Sequence, residues 1–194
     1  EPGQEPGQTS IVAVDAATGE LRWRTLRKTI RVCYFTPCIG QRPDGSPELI
    51  CTSTADGVFS LDPRTGKENW KVDDVFRMRV VSSPLLTDGI VFGSTGSGGG
   101  GNYVVAVQTG ENPRELYRID RNAPYVPTIV AQDGLAYLFY DRGTASCIDV
   151  KTGAVHWRER VTKGFSGSPV LADDKLYVID DDGKVFVLAP STEF

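Results

Sequence analysis

Histidine and methionine are nearly missing from this 194-residue chain, with one of each, and no apolar run approaches the ~18 residues needed to cross a bilayer. One histidine and four cysteines (Cys33, Cys38, Cys51 and Cys147), none in a CxxC pair, are too few ligands for a zinc site, so no metal is expected. Basic residues are not in excess: 21 stand against 25 acidic ones, giving a formal charge of −4. No basic stripe is present to displace counterions from a phosphate backbone, and nucleic acid is not an expected partner. The chain opens on neither a signal-peptide pattern nor a Met, which points to a processed or excised product. Helical periodicity is missing as well, since nowhere do apolar residues recur at i, i+3, i+4 and i+7 without Gly or Pro interrupting.

What remains is ordinary globular composition, 40% hydrophobic and 24% charged, carrying an internal repeat. The segment Ala13-Val-Asp15-Ala-Ala-Thr18-Gly19-Glu-Leu-Arg-Trp23 returns as Ser60-Leu-Asp62-Pro-Arg-Thr65-Gly66-Lys-Glu-Asn-Trp70 and as Cys147-Ile-Asp149-Val-Lys-Thr152-Gly153-Ala-Val-His-Trp157. All three tryptophans of the protein fall at one place in it. A degraded copy runs from Ala106 through Gly110 to Tyr117 with one residue added, and another begins at Val187. Thr36-Pro37, Ser83-Pro84, Val126-Pro127 and Ser168-Pro169 form a second landmark in the same phase, at spacings of 47, 43 and 42 residues, which suit four-stranded propeller blades.

Each unit reads as four short strands. In the last, Val170–Ala172 and Lys175–Ile179 flank Asp173-Asp174, and Lys184–Leu188 follows the turn cluster Asp180-Asp-Asp182-Gly183. The Asp-x-x-Thr-Gly element then turns the chain into the Trp strand: Asp and Thr side chains bond nearby amides, and Gly takes the left-handed step. Strands such as Val12–Val14, Val104–Val107 and Leu135–Phe139 are apolar at consecutive positions, so both faces should be covered, as stacked blades require. Cys38 and Cys51 flank an expected hairpin and could bridge in an oxidising compartment; small buried hydrophobes are the simpler reading.

The element Ala-x-Asp-x-x-Thr-Gly-x-x-x-Trp resembles the tryptophan-docking motif of the pyrroloquinoline-quinone (PQQ) dehydrogenase family, whose repeat also occurs in outer-membrane assembly lipoproteins. The resemblance covers nearly all of the chain after residue 10. It implies an all-β propeller of four-stranded antiparallel blades, in which each Trp packs across to the next blade's motif. The implied structural docking residues are Asp15, Gly19, Trp23, Asp62, Gly66, Trp70, Gly110, Tyr117, Asp149, Gly153 and Trp157. The dehydrogenases' vicinal disulfide, calcium ligands and catalytic Asp find no counterparts, so neither catalysis nor a cofactor is expected.

Other features have plain readings. Gly93–Asn102 lacks a P-loop ending and reads as a flexible hairpin loop, His156 as solvated on an outer strand, and Asp180–Asp182 as a turn rather than a calcium site. Arg22-Trp-Arg24 and Arg77-Met-Arg79 read as alternating strand patterns with one charged face in water. The expected organisation is a linker-like tail over 1–10, a partial blade over 11–26, blades over 34–73, 82–120 and 126–161, and a partial blade over 167–188. About four blades are short of the seven or eight that family rings hold, so the ring is expected to be completed by blades of a longer chain or by a second copy joined head to tail. A closed four-bladed ring is the remaining alternative. The expected function is a non-catalytic interaction or scaffold module of the cell envelope, extracytoplasmic, with a protein partner. The rival readings are a fragment of a PQQ-dependent dehydrogenase and a ligand-sensing domain of a signalling protein.

Overall fold

The computed structural model describes residues 9–194, and residues 1–8 of the tail lie outside the described residues. Seventeen strands form five antiparallel sheets that follow one another in chain order, with no helix among the described residues. The first sheet pairs β1 (Thr9–Val14) with β2 (Leu21–Arg27), so the first strand takes in Thr9 and Ser10, which were expected in the tail. The second holds β3 (Cys38–Gln41), β4 (Pro47–Ser53), β5 (Gly57–Leu61) and β6 (Glu68–Val72). The third holds β7 (Leu85–Thr87), β8 (Ile90–Thr95), β9 (Tyr103–Gln108) and β10 (Arg114–Ile119). The fourth holds β11 (Val130–Gln132), β12 (Leu135–Tyr140), β13 (Thr144–Asp149) and β14 (Val155–Arg160). The fifth has three strands, β15 (Val170–Ala172), β16 (Lys175–Ile179) and β17 (Val185–Leu188).

Consecutive apolar residues in the middle strands let each sheet bury both faces, and a separate core fills each gap. Ile11 and Trp23 of the first sheet pack against Cys51, Phe59 and Leu61 of the second. Ile50, Val58 and Trp70 meet Val91, Val105 and Val107 of the third. Phe92, Val104 and Tyr117 meet Ala136, Leu138 and Ile148 of the fourth. Tyr137, Phe139 and Trp157 meet Leu176, Val178 and Phe186 of the fifth. Burial of apolar area at these gaps is the main stabilising term, at roughly 25 cal/mol per Å² removed from water.

The outermost hairpins share one distortion. The register slips at Ala13/Val14, Ser60/Leu61, Glu115/Tyr117 and Cys147/Ile148, a bulge at the same place in four sheets. It sets each aromatic opposite a small residue: Trp23 against Ala13, Trp70 against Ser60, Tyr117 against Ala106 and Trp157 against Cys147.

Several expectations change. Val12 and Val14 are half exposed rather than covered, because among the described residues no sheet packs on their side of the first sheet. Gly93, Ser94 and Thr95 belong to β8 and are buried, and a Cβ on Gly93 would meet the Phe76 ring at 2.6 Å. The loop proper is tied, with the Ser97 amide donating to Asn102 Oδ1 at 3.0 Å and the Ser97 hydroxyl to the Gly100 carbonyl at 3.1 Å. Arg77-Met78-Arg79 is a bend rather than a strand, joined to the third sheet by a bridge from Arg79 to Gly96, by the Arg77 amide donating to the Tyr103 hydroxyl and by the Thr95 hydroxyl donating to the Arg79 carbonyl. All four cysteines are free. Cys38 pairs with Ile50, so the next residue, Cys51, projects from the opposite face, one thiol toward the third sheet and the other toward the first.

Candidate functional site

The repeated motif first builds a turn. The Asp15 carboxylate accepts the amides of Ala17 and Thr18 at 3.0 and 2.9 Å, and the Gly19 amide closes on the Asp15 carbonyl at 2.9 Å. Asp149 does the same with Lys151 and Thr152, and Asp62 accepts from Arg64. Arg22 beside Asp15, together with these amides, holds its carboxyl down at about 2, and the Thr152 hydroxyl and amide lower that of Asp149. Asp180 is engaged likewise, accepting the Thr162 hydroxyl and the amides of Asp182 and Lys184. His156 is exposed on β14.

The turn then receives the aromatic of the preceding sheet. Trp23 lies over Gly66 and donates Nε1–H to the Pro63 carbonyl at 2.9 Å. Tyr117 lies over Gly153, where a Cβ would meet its ring at 2.6 Å, and its hydroxyl donates to the Val150 carbonyl at 2.5 Å. Pro63 and Val150 each follow the turn's Asp, so indole and phenol reach equivalent acceptors. Trp157 donates to the Ser191 carbonyl at 2.9 Å and packs against Phe194, 5.0 Å between centroids with the rings inclined at 57°. Gly19 has no atom within 4 Å of its Cβ position among the described residues.

Trp70 departs from this arrangement. Its Nε1–H donates at 2.9 Å to Oε2 of Glu48, a buried carboxylate in its own sheet, and the Cβ position of Gly110 across the gap is empty to 4 Å. The turn at Gly110 carries an added residue and no Asp at the usual place, so it does not close down on the indole. A cavity of about 310 Å³ lies there, lined by Arg42, Asp44, Asn69, Trp70, Gly110 and Glu111.

A second set of couplings runs along the inner strands. The Thr36 amide donates to Ser83 Oγ at 3.2 Å, the Ser83 amide to Thr128 Oγ1 at 3.3 Å, and the Thr128 amide to Ser168 Oγ at 3.0 Å. Each of these residues stands two places before the inner strand of its sheet. The landmark in the fourth unit is therefore Thr128 and not Val126-Pro127, because the hydroxyl rather than the proline is the coupled group. Sequence reading also passed over Arg27, whose largely buried guanidinium pairs with Asp56 at 3.2 Å and Glu68 at 2.7 Å and lies 4.0 Å over the Phe59 ring. It also passed over Glu48, which comparison of the repeats could have flagged, since Ile90 and Leu135 hold the same register position.

The end sheets keep one face outward. Val12, Val14 and Leu26 project from the first, and Val170, Ile179, Val185 and Val187 from the fifth, all more than two-fifths exposed.

Face-to-face four-stranded sheets, stapled by an aromatic on the turn glycine of the next, define a β-propeller of PQQ-like repeats. The chain belongs to the family of the outer membrane protein assembly factor BamB, whose model matches residues 7–133 and 122–192. Among solved structures it is similar to BamB from Moraxella catarrhalis, at 18% identity over 95% of this chain and 56% of that one, with a TM-score of 0.65. Sqt1 of Saccharomyces cerevisiae matches at 14% identity over 95% of this chain and 53% of that one, TM-score 0.73. The computationally designed Ika8 protein matches at 16% identity over 74% and 42%, TM-score 0.54. At these identities the likeness shows the propeller fold alone, and the chain spans little more than half the length of the two natural proteins. No curated protein matches the chain by sequence.

Proposed function

We propose that this chain is a protein-interaction module of the cell envelope that serves the assembly of outer-membrane proteins, holding partner polypeptides rather than transforming a substrate. The carrying observation is membership in the assembly-factor family, whose model matches residues 7–133 and 122–192; the outward apolar faces, Val12, Val14 and Leu26 at one end and Val170, Ile179, Val185 and Val187 at the other, are surfaces that further blades or a partner would cover. The repeat motifs' Asp15, Asp62 and Asp149 are meanwhile occupied in turn construction.

Two measurements test it. Loss of the protein from its host should lower the amount of β-barrel protein reaching the outer membrane, and unchanged levels would overturn the assembly role. A photo-crosslinking residue at Val12 or Val187 of the natural chain should capture a second polypeptide. Crosslinks that stay within one polypeptide at both positions would mean that these faces are covered by further blades, and the partner surface would have to lie elsewhere.

A further inference from the structure

The junction between the second and third sheets is built differently from the others, and the difference extends beyond one rotated side chain. Glu48 stands where Ile90 and Leu135 stand in the next two sheets, and Ser60 where Ala106 and Cys147 stand. These two polar substitutions are bonded to each other and to the indole. The Ser60 hydroxyl donates to Glu48 Oε2 at 2.7 Å, and Trp70 Nε1–H donates to the same oxygen at 2.9 Å. The network continues outward: Asn69 Nδ2 donates to Ser60 Oγ at 3.0 Å, and Arg42 Nη1 to Asn69 Oδ1 at 3.4 Å. It ends at the cavity, where Arg42 and Asn69 form part of the wall.

A buried carboxylate is costly unless its hydrogen bonds are satisfied. Here the acid fixes the orientation of an indole that would otherwise dock on the next turn. With Gly110 held away, the indole borders about 310 Å³ of open space, at the lower end of the roughly 300–1,000 Å³ of small-molecule pockets. The wall chemistry narrows the occupant. A cation would meet Arg42, an anion would meet Asp44 and Glu111, and an apolar side chain would cover the Arg42–Asp44 pair, 3.9 Å apart, and the exposed Glu111 carboxylate without bonding to any of them. A ring bearing several hydroxyls satisfies both kinds of group, because each hydroxyl donates and accepts, while its C–H face lies against an aromatic plane already locked in place.

We propose that this junction is a saccharide-binding site, with a pyranose ring stacked on Trp70 and its hydroxyls shared among Arg42, Asp44, Asn69 and Glu111. Glu48 and Ser60 are positioning residues that hold the indole and do not touch the sugar. The site is remote in sequence from the outward faces of the end sheets, so saccharide binding and partner capture can fail independently.

The test is NMR titration of the chain with methyl β-D-glucopyranoside, N-acetyl-D-glucosamine and maltose, following the Trp70 Nε1–H signal, assigned by its loss in Trp70→Phe. At least one probe should shift that signal saturably, with affinity on the order of millimolar. Arg42→Ala and Glu111→Ala, both on partly or fully exposed side chains that leave the core intact, should each weaken binding about tenfold, as loss of a hydrogen bond to a charged group does. Absence of any saturable shift at Trp70 with all three probes would overturn the proposal. So would binding that both alanine variants leave unchanged, or an equal shift produced by lysine methyl ester at the same concentration.

Discussion

Gly66→Ala isolates the staple between the first two sheets. Gly66 has φ +72°, where an L-residue costs about 1–2 kcal/mol. Its new methyl would also overlap the Trp23 ring and stand 2.5 Å from Thr25 Oγ1, an overpacking penalty of about 1–3 kcal/mol. The combined loss of about 2–5 kcal/mol corresponds to a fall in melting temperature of about 5–15 °C for a chain of this size. Gly19→Ala is the matched control: φ is +75° and the Cβ position is empty to 4 Å among the described residues, so only the backbone cost of about 1–2 kcal/mol should appear. Urea unfolding followed by tryptophan emission measures both. Adding Trp23→Ala to Gly66→Ala should remove the overlap, giving a coupling energy between the two sites. Equal losses in the two glycine variants, or additive behaviour of Trp23 and Gly66, would refute docking as the source of the effect.

Trp157→Ala should cost about 3–5 kcal/mol, since it empties a buried aromatic site between Tyr137 and Phe194; a wild-type melting temperature would contradict that. Acid should destabilise the chain through its turns. Asp15, Asp149 and Asp180 have depressed folded-state pKa values, so their contribution is complete above the ordinary 3.8 and is lost as pH falls toward about 2, the folded value for Asp15. The urea midpoint should hold constant down to about pH 4 and drop below it, and a flat profile through that window would show the carboxylates to be uninvolved. Burial pushes the thiols of Cys51 and Cys147 up to about 12 and about 11. A thiol-specific label should reach partly exposed Cys33 first and leave those two unmodified until unfolding. Labelling of all four at one rate would contradict the packing.

Fold class and repeat phase were legible because two constraints recur in local sequence. The turn demands Asp, Thr and Gly at fixed offsets, and the outer strand demands an aromatic four residues after the Gly, or seven at the degraded copy. Couplings between sheets were less legible, because their acceptors are backbone carbonyls and hydroxyls that many residue types supply. Val126-Pro127 mimicked Ser83-Pro84, yet the bonded group is the hydroxyl of Thr128. The docking geometry could be anticipated for Trp23 from its own segment. For Trp70 it turned on Glu48, 22 residues earlier, whose carboxylate out-competes a neighbouring carbonyl for the indole proton. Arg27 was invisible for a similar reason, since its partners Asp56 and Glu68 become neighbours only when the first two sheets meet.

The hydroxyl links at the hub and the aromatic links at the rim run in one sense. Thr36, Ser83 and Thr128 give their amide protons forward, and Trp23, Tyr117 and Trp157 give theirs forward too, always to a sheet later in the chain. Each wedge thus leads with a giver and trails with a receiver, like a coupling on a train carriage. A gene segment encoding such a wedge can be duplicated in tandem and the new junction is already complementary. Growth of the array by copying therefore requires no invention at the seam, and a seam becomes free to acquire another purpose only where, as at Trp70, the giver has been turned back into its own wedge.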